Sequence, residues 1–116
     1  RYPLGREFSY RVTRFAAGGA SPDPETWSKL KVLDISRGGL GASTPSFLPL
    51  KADLEIRMSK EDDGGPTVRV AARVTYCAFW KGQDFKVGIE FLKLSEEART
   101  LLQTLVHSAA RGSAQG

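Results

Sequence analysis

Apolar and polar residues alternate along most of this chain at the two-residue period of a strand with one buried face. Ala52, Leu54, Ile56 and Met58 are separated by Asp53, Glu55 and Arg57. Val68, Val70, Ala72, Val74 and Tyr76 share one face against Arg69, Ala71, Arg73 and Thr75. Phe8, Tyr10 and Val12 repeat the pattern against Ser9, Arg11 and Thr13, and Phe85, Val87, Ile89 and Phe91 close the series. Segments of this period cannot gather their apolar residues on one side of a helix. They have to pair as strands and curl or stack. Shorter strands expected over 27–33 and 40–43 bring the count to six or seven, with turn signals between them. The Gly-, Ala-, Ser- and Pro-rich stretch 17–24 reads as a loop, Thr44-Pro45 and Leu48-Pro49 break the chain, and Asp62-Asp63-Gly64-Gly65 marks a hairpin loop over 59–66. The expected fold is a small antiparallel barrel or sandwich.

One segment departs from that period. Ser95 is an N-cap candidate, Glu96 and Glu97 fall where the helix dipole favours negative charge, and Ala98, Leu101, Leu102, Leu105 and Ala109 form one apolar stripe. Such a stripe must be buried, and the open end of a barrel is the natural place. Phe8, Val32, Leu54, Val70, Val74, Val87, Ile89 and Phe91 are the expected core, with Leu101, Leu102 and Leu105 sealing it. A chain of 116 residues suits one such domain, read here as 1–109. The Ala, Gly, Ser and Gln composition of 110–116 predicts a disordered tail.

The stretch Asp34-Ile35-Ser36-Arg37-Gly38-Gly39 is the densest in chemistry. An apolar approach through Leu30, Val32 and Leu33 and an apolar exit at Leu40 describe a strand that turns a tight corner. Asp and Ser side chains can bond to backbone N–H groups just downstream, and glycine supplies angles that other residues resist. The same residues serve a well-made turn or a ligand-facing corner, where a carboxylate accepts from a base and glycine admits close approach.

Three features together resemble the PilZ domain, a family of bacterial receptors for cyclic di-GMP. They are the D-x-S-x-x-G corner at Asp34, Ser36 and Gly39, the entrance Arg1-Tyr2-Pro3, and the closing run Val87-Gly88-Ile89-Glu90-Phe91 followed by a helix. The resemblance extends from Arg1 to about Val106. It implies a six-stranded antiparallel β-barrel capped by a C-terminal helix, with cyclic di-GMP as ligand and no cofactor or metal. In similar domains, arginines grip the phosphates and guanine while the corner carboxylate reads the opposite guanine edge. That chemistry is sound: a guanidinium bonds bidentately to phosphate or to guanine O6 and N7, and a carboxylate is acceptor-only.

The residues so implicated are Arg1, Asp34, Ser36, Arg37, Gly39 and Tyr76. Arg1 matches the second member of the family's R-x-x-x-R pair, whose first member would lie four positions upstream. Arg6 has the wrong spacing and follows the proline. We therefore expect a piece of a longer protein cut through that motif, an expectation that the opening Arg supports; the alternative is a divergent domain with a weakened site. Arg37 reads either as a replacement guanidinium or as an exposed turn residue. Tyr76 reads either as an aromatic beside the ligand or as core, since alternation puts it with Val74. Phe79 and Trp80 are expected in a turn, as a lid or a partner contact.

Catalysis is poorly supplied. His107 is the single histidine and falls near the end of the predicted helix, and Cys77 has no metal-type spacing. A lone cysteine also excludes an internal disulfide and fits a reducing compartment, so a cytoplasmic location is expected. The charged, alternating start does not read as a signal peptide, and no apolar run approaches the roughly 18 residues of a membrane span, so no membrane insertion is expected. Seventeen Lys and Arg against 13 Asp and Glu give a formal charge of +4, compatible with an anionic ligand but short of a clustered nucleic-acid binder. The leading reading is a cyclic di-GMP receptor domain that relays occupancy to an attached domain or partner protein. Its rival is a degenerate PilZ domain that serves protein interaction without nucleotide. A basic barrel for single-stranded nucleic acid ranks below both.

Overall fold

Six strands and one helix succeed one another in the computed structural model, in which residues 2–14, 27–59 and 67–115 are described. The strands are β1 (Tyr2–Arg14), β2 (Ser28–Ile35), β3 (Gly39–Thr44), β4 (Asp53–Ser59), β5 (Thr67–Lys81) and β6 (Asp84–Lys93). The helix, α1, spans Glu96–Gln115. All neighbouring strands pair antiparallel, and the order β1-β2-β3-β6-β5-β4 closes where β4 returns to β1. Closure removes the unpaired edges that an open sheet would expose. This is the six-stranded barrel with a C-terminal helix that the family resemblance implies, and it settles the choice between barrel and sandwich that the alternation leaves open.

β4 shows how the pattern becomes an interior. Leu54, Ile56 and Met58 are buried between half-buried Asp53, Glu55, Arg57 and Ser59. Leu30, Val32 and Ile35 of β2, Leu40 of β3, Val70 and Val74 of β5, and Val87 and Ile89 of β6 fill the same space. Each such side chain contributes about 1.5–3 kcal/mol relative to exposure. Tyr10 also points inward, where its hydroxyl meets Thr44 Oγ1 at 3.1 Å and satisfies two buried polar groups at once. Of the expected core, Phe91 is only half-buried and packs at the margin, near the end of the β5–β6 ladder.

Helix α1 begins as predicted. Ser95 Oγ accepts the Ala98 N–H at 3.1 Å, and Glu96 and Glu97 occupy the first turn. Ala98, Leu102, Leu105 and Ala109 are buried against the barrel, with Leu101 and Val106 packed at the margin, and the helix lies mainly on β1. The helix continues to Gln115, through the stretch whose composition reads as a disordered tail; Ala110 and Arg111 favour helix and prolong it.

Two strands are longer than their alternation. β1 starts at Tyr2, and β5 runs to Lys81, so Phe79 and Trp80 lie on a strand and not in a turn. Phe79 pairs with Phe85 across the ladder, and aromatic residues suit that setting. The turn itself is Gly82-Gln83, where Gly82 has φ 60° and carries the left-handed angle. Ser59, the first residue of the expected loop over 59–66, ends β4; the rest of that loop, the expected loop over 17–24 and Arg1 lie outside the described residues.

Leu102→Ala should destabilise the protein by about 2–5 kcal/mol, since it leaves a cavity between helix and barrel. Urea unfolding would show this as a lowered midpoint; a midpoint within error of the parent would mean that α1 does not seal the core.

Candidate functional site

The corner is a two-residue hairpin between β2 and β3. Ile35 pairs with Leu40, Ser36 N–H donates to the Gly39 carbonyl at 2.9 Å, and Arg37-Gly38 turn the chain. Ser36 Oγ donates to the same carbonyl at 3.3 Å, which leaves its lone pairs to accept from another group. The Gly38 carbonyl accepts the Phe91 N–H at 2.9 Å and so ties the corner to the end of β6.

The glycines serve packing, not unusual angles. Among the described residues only Gly82 and Lys51 have positive φ, so neither Gly38 nor Gly39 uses the left-handed region expected of a turn glycine. A Cβ on Gly39 would collide with the Ile89 carbonyl oxygen, whereas one on Gly38 would meet nothing within 4 Å. Gly39 is required because β3 and β6 approach each other there.

Register assembles the rest. Asp34 pairs with Gly41, Gly41 with Gly88, and Gly88 with Tyr76, while Pro3 lies opposite Asp34 on the other side. One row therefore crosses five strands with two glycines at its centre. Asp34 Oδ1 accepts the Gly41 N–H at 3.1 Å, and a Cβ on Gly41 would come within 2.9 Å of that oxygen. A Cβ on Gly88 would strike the Tyr76 ring. On the outer face here the Asp34 carboxylate lies over Gly41 and the Tyr76 ring over Gly88. The two groups lean toward each other across a glycine row whose flanking Cα positions are about 14 Å apart at the usual strand spacing.

Both walls are set by bulges. The β2–β3 register shifts between Val32 and Asp34, and the β5–β6 register shifts between Val74 and Tyr76. An extra residue reverses the alternation beyond it. Tyr76 consequently sits on the outer face, 39% exposed where Val74 is 0%, and the core placement suggested by simple alternation is corrected. Cys77 then turns inward, half-buried, and its sulfur receives the Leu48 N–H at 3.5 Å.

The structure thus brings Asp34, Ser36, Gly39 and Tyr76 to one face of β2, β3, β6 and β5. Arg37 is exposed and lines a shallow depression of about 510 Å³ with Thr100, Gln103, Thr104, His107 and Ser108 of α1. Arg1 lies outside the described residues, but its neighbours Tyr2 and Pro3 pair with Ile35 and Asp34. Gly41 and Gly88 were missed as floor residues, although a glycine inside a strand pattern signals close approach. No group of three or more potential metal ligands occurs among the described residues.

The family model for the PilZ domain matches residues 6–108. No curated protein matches the sequence. Among solved structures, MrkH of K. pneumonia in its apo state superposes with a TM-score of 0.70 at 12% identity, covering 99% of this chain and 49% of that one. The PilZ domain of Escherichia coli YcgR, solved with c-di-GMP, gives 0.59 at 17% identity over 98% and 89%. The Bacillus subtilis inhibitor of motility MotI/DgrA gives 0.60 at 15% over 98% and 50%. This chain therefore spans about half the length of MrkH and of MotI/DgrA. At these identities the likeness establishes the fold.

Gly39→Ala should destabilise the barrel by about 1–3 kcal/mol through overpacking, while Gly38→Ala should stay within about 0.5 kcal/mol. Equal effects in chemical unfolding would contradict the close β3–β6 approach.

Proposed function

The chain belongs to the PilZ domain family, and on that premise we propose that it is a receptor domain for cyclic di-GMP, bound on the outer face at Asp34, Gly41, Gly88 and Tyr76. PilZ domains are receptors and not enzymes, and the relative solved with c-di-GMP shares this barrel. One arrangement carries the assignment: a carboxylate and an aromatic ring brought toward each other over a pair of facing glycines.

Each part of that arrangement suits one part of the ligand. Asp34 accepts the Gly41 N–H, and as an acceptor-only carboxylate it suits the N1–H and N2–H of guanine. Ser36 offers a second acceptor beside it. The two glycines let Asp34 and Tyr76 lie low over the backbone, and Tyr76 offers its ring to a base. Arg1 supplies a guanidinium to the phosphates, joined by the residue four places before it if that residue is an arginine, and Arg37 at the corner adds another.

The same geometry suggests how occupancy leaves the site. Gly38 holds the Phe91 N–H near the end of β6, which leads through Leu94 and Ser95 into α1, and Arg37 faces that helix. A ligand that repositions the corner thereby presses on α1 and on whatever domain or partner protein the helix contacts. No helix among the described residues is long and apolar enough to cross a membrane. We place the receptor in the cytoplasm, where its one cysteine, free in the structure, would stay reduced.

In a protein that retains the sequence preceding Arg1, Asp34→Ala should weaken cyclic di-GMP binding about 10- to 100-fold, the loss of charge-assisted hydrogen bonds worth about 1.5–3 kcal/mol. Calorimetry on parent and variant reads this directly, with circular dichroism confirming the fold. Should an arginine stand four places before Arg1 and no binding occur at high ligand concentration, the interaction-module reading replaces this one.

A further inference from the structure

The other side of the barrel gathers positive charge that the sequence scatters. Lys29 of β2 pairs with Ser9 of β1, Ser9 with Arg57 of β4, and Arg57 with Arg69 of β5. Three cations and one serine therefore form a row across four adjacent strands, at intervals of about 4.8 Å. Lys31, two residues along β2 and opposite Glu7, extends it. Between them lies a groove of about 740 Å³ lined by Arg6, Lys29, Lys31 and Arg57, with Glu7 its only lining acid among the described residues. Gly5 and Ser9 also line it and leave room above the strands.

The charges are held in place and only partly neutralised. Trp27, at the entrance to β2, has Arg57 stacked 3.7 Å from its ring centroid, with Arg11 at 4.9 Å and Arg69 at 5.7 Å. Glu55 pairs with Arg11 at 2.9 Å and Arg69 at 3.6 Å, which leaves Arg57 with no acidic partner among the described residues. A cation–π contact orients a guanidinium and leaves its charge intact. Lys29 reaches Glu7 at 3.2 Å, while Lys31 is exposed and has no acid among the described residues. Asp53, by contrast, is clamped by Arg73 at 3.0 Å and Arg14 at 3.5 Å, so that end of the same face is balanced.

The form of the groove narrows the partner. A closed barrel has no free edge to which a peptide could add as a strand. Phe8, the one large apolar residue in the lining, is buried at 3% exposure, so the groove offers no pocket for apolar side chains. A concave site does not suit a planar bilayer. A linear chain of phosphates needs only a file of cations over small residues, which is what β2, β1, β4 and β5 present. We propose that this groove binds the phosphodiester backbone of single-stranded nucleic acid. Sequence reading ranks that partner low because its cations lie far apart in the chain, and closure of the barrel is what aligns them. The inference is independent of the corner and its ligand.

The test is fluorescence anisotropy of a labelled oligothymidine titrated with the full chain over a range of salt. Affinity should fall with salt at a log–log slope of about −0.7 per phosphate engaged. Lys31→Ala and Arg57→Ala should each weaken binding and reduce the slope by about 0.7. Lys31 is exposed, so its variant keeps the fold even if loss of the Arg57 stack perturbs Trp27. Asp34→Ala should leave oligonucleotide binding unchanged. No binding at low salt overturns the proposal, as does an unchanged affinity in Lys31→Ala/Arg57→Ala. Loss of binding in Asp34→Ala would place the oligonucleotide at the corner instead, and equal competition by polyglutamate would make the partner an acidic chain.

Discussion

The approach of β3 to β6 is the constraint on which the barrel and its candidate site both depend. Gly39 faces the Ile89 carbonyl at a distance that excludes a Cβ, and every residue of β3 is buried although the strand reads Gly-Leu-Gly-Ala-Ser-Thr. Small residues let the strand sit deep, so the two halves of the sheet can close around Leu40, Val87 and Ile89. On the outer face the same smallness at Gly41 and Gly88 makes room for the Asp34 and Tyr76 side chains that cover them. A bulkier β3 would cost both the closure and the floor.

That coupling explains why the polar and aromatic side chains of the candidate site come from the ends of a row whose middle residues are glycines. Asp34 leans over Gly41 and Tyr76 over Gly88, each occupying the volume that its neighbour leaves empty. The walls are oriented by packing before any ligand arrives, which lowers the ordering cost of binding. Tyr76 is displayed because one extra residue, Thr75, interrupts the ladder. The phenol and the carboxylate thus owe their placement to bulges at corresponding points on either side of the glycine floor.

Much of this was legible in the sequence because it is local. The period of 52–58 survives unchanged as β4, Ser95 caps α1, and the corner stands where Asp34 and Ser36 place it. Register was not legible. Nothing in the residues around Val74 announces that β5 gains a residue against β6, so Tyr76 reads as core until the pairing is seen. Phe79 and Trp80 look like turn residues because polar Lys81-Gly82 follows, yet the ladder extends past them to Lys81 and Asp84. Likewise Lys29, Arg57 and Arg69 become neighbours only through two strand pairings to Ser9 and one between β4 and β5. Alternation fixes which face a side chain takes, but which residues meet across strands is a property of the closed sheet.

The central claim is that ligand lies on the glycine floor between Asp34 and Tyr76. Amide NMR of the ¹⁵N-labelled protein, with its preceding sequence in place, tests this most directly during titration with cyclic di-GMP. Backbone N–H groups of the floor report on a base lying over them, and glycine amides resonate apart from the crowd. The account predicts that Gly39, Gly41, Gly88 and Tyr76 shift most, while Ser9, Lys29 and Arg57 on the other side of the barrel stay in place. Shifts confined to that other side, or no shifts at all under saturating ligand, would contradict it.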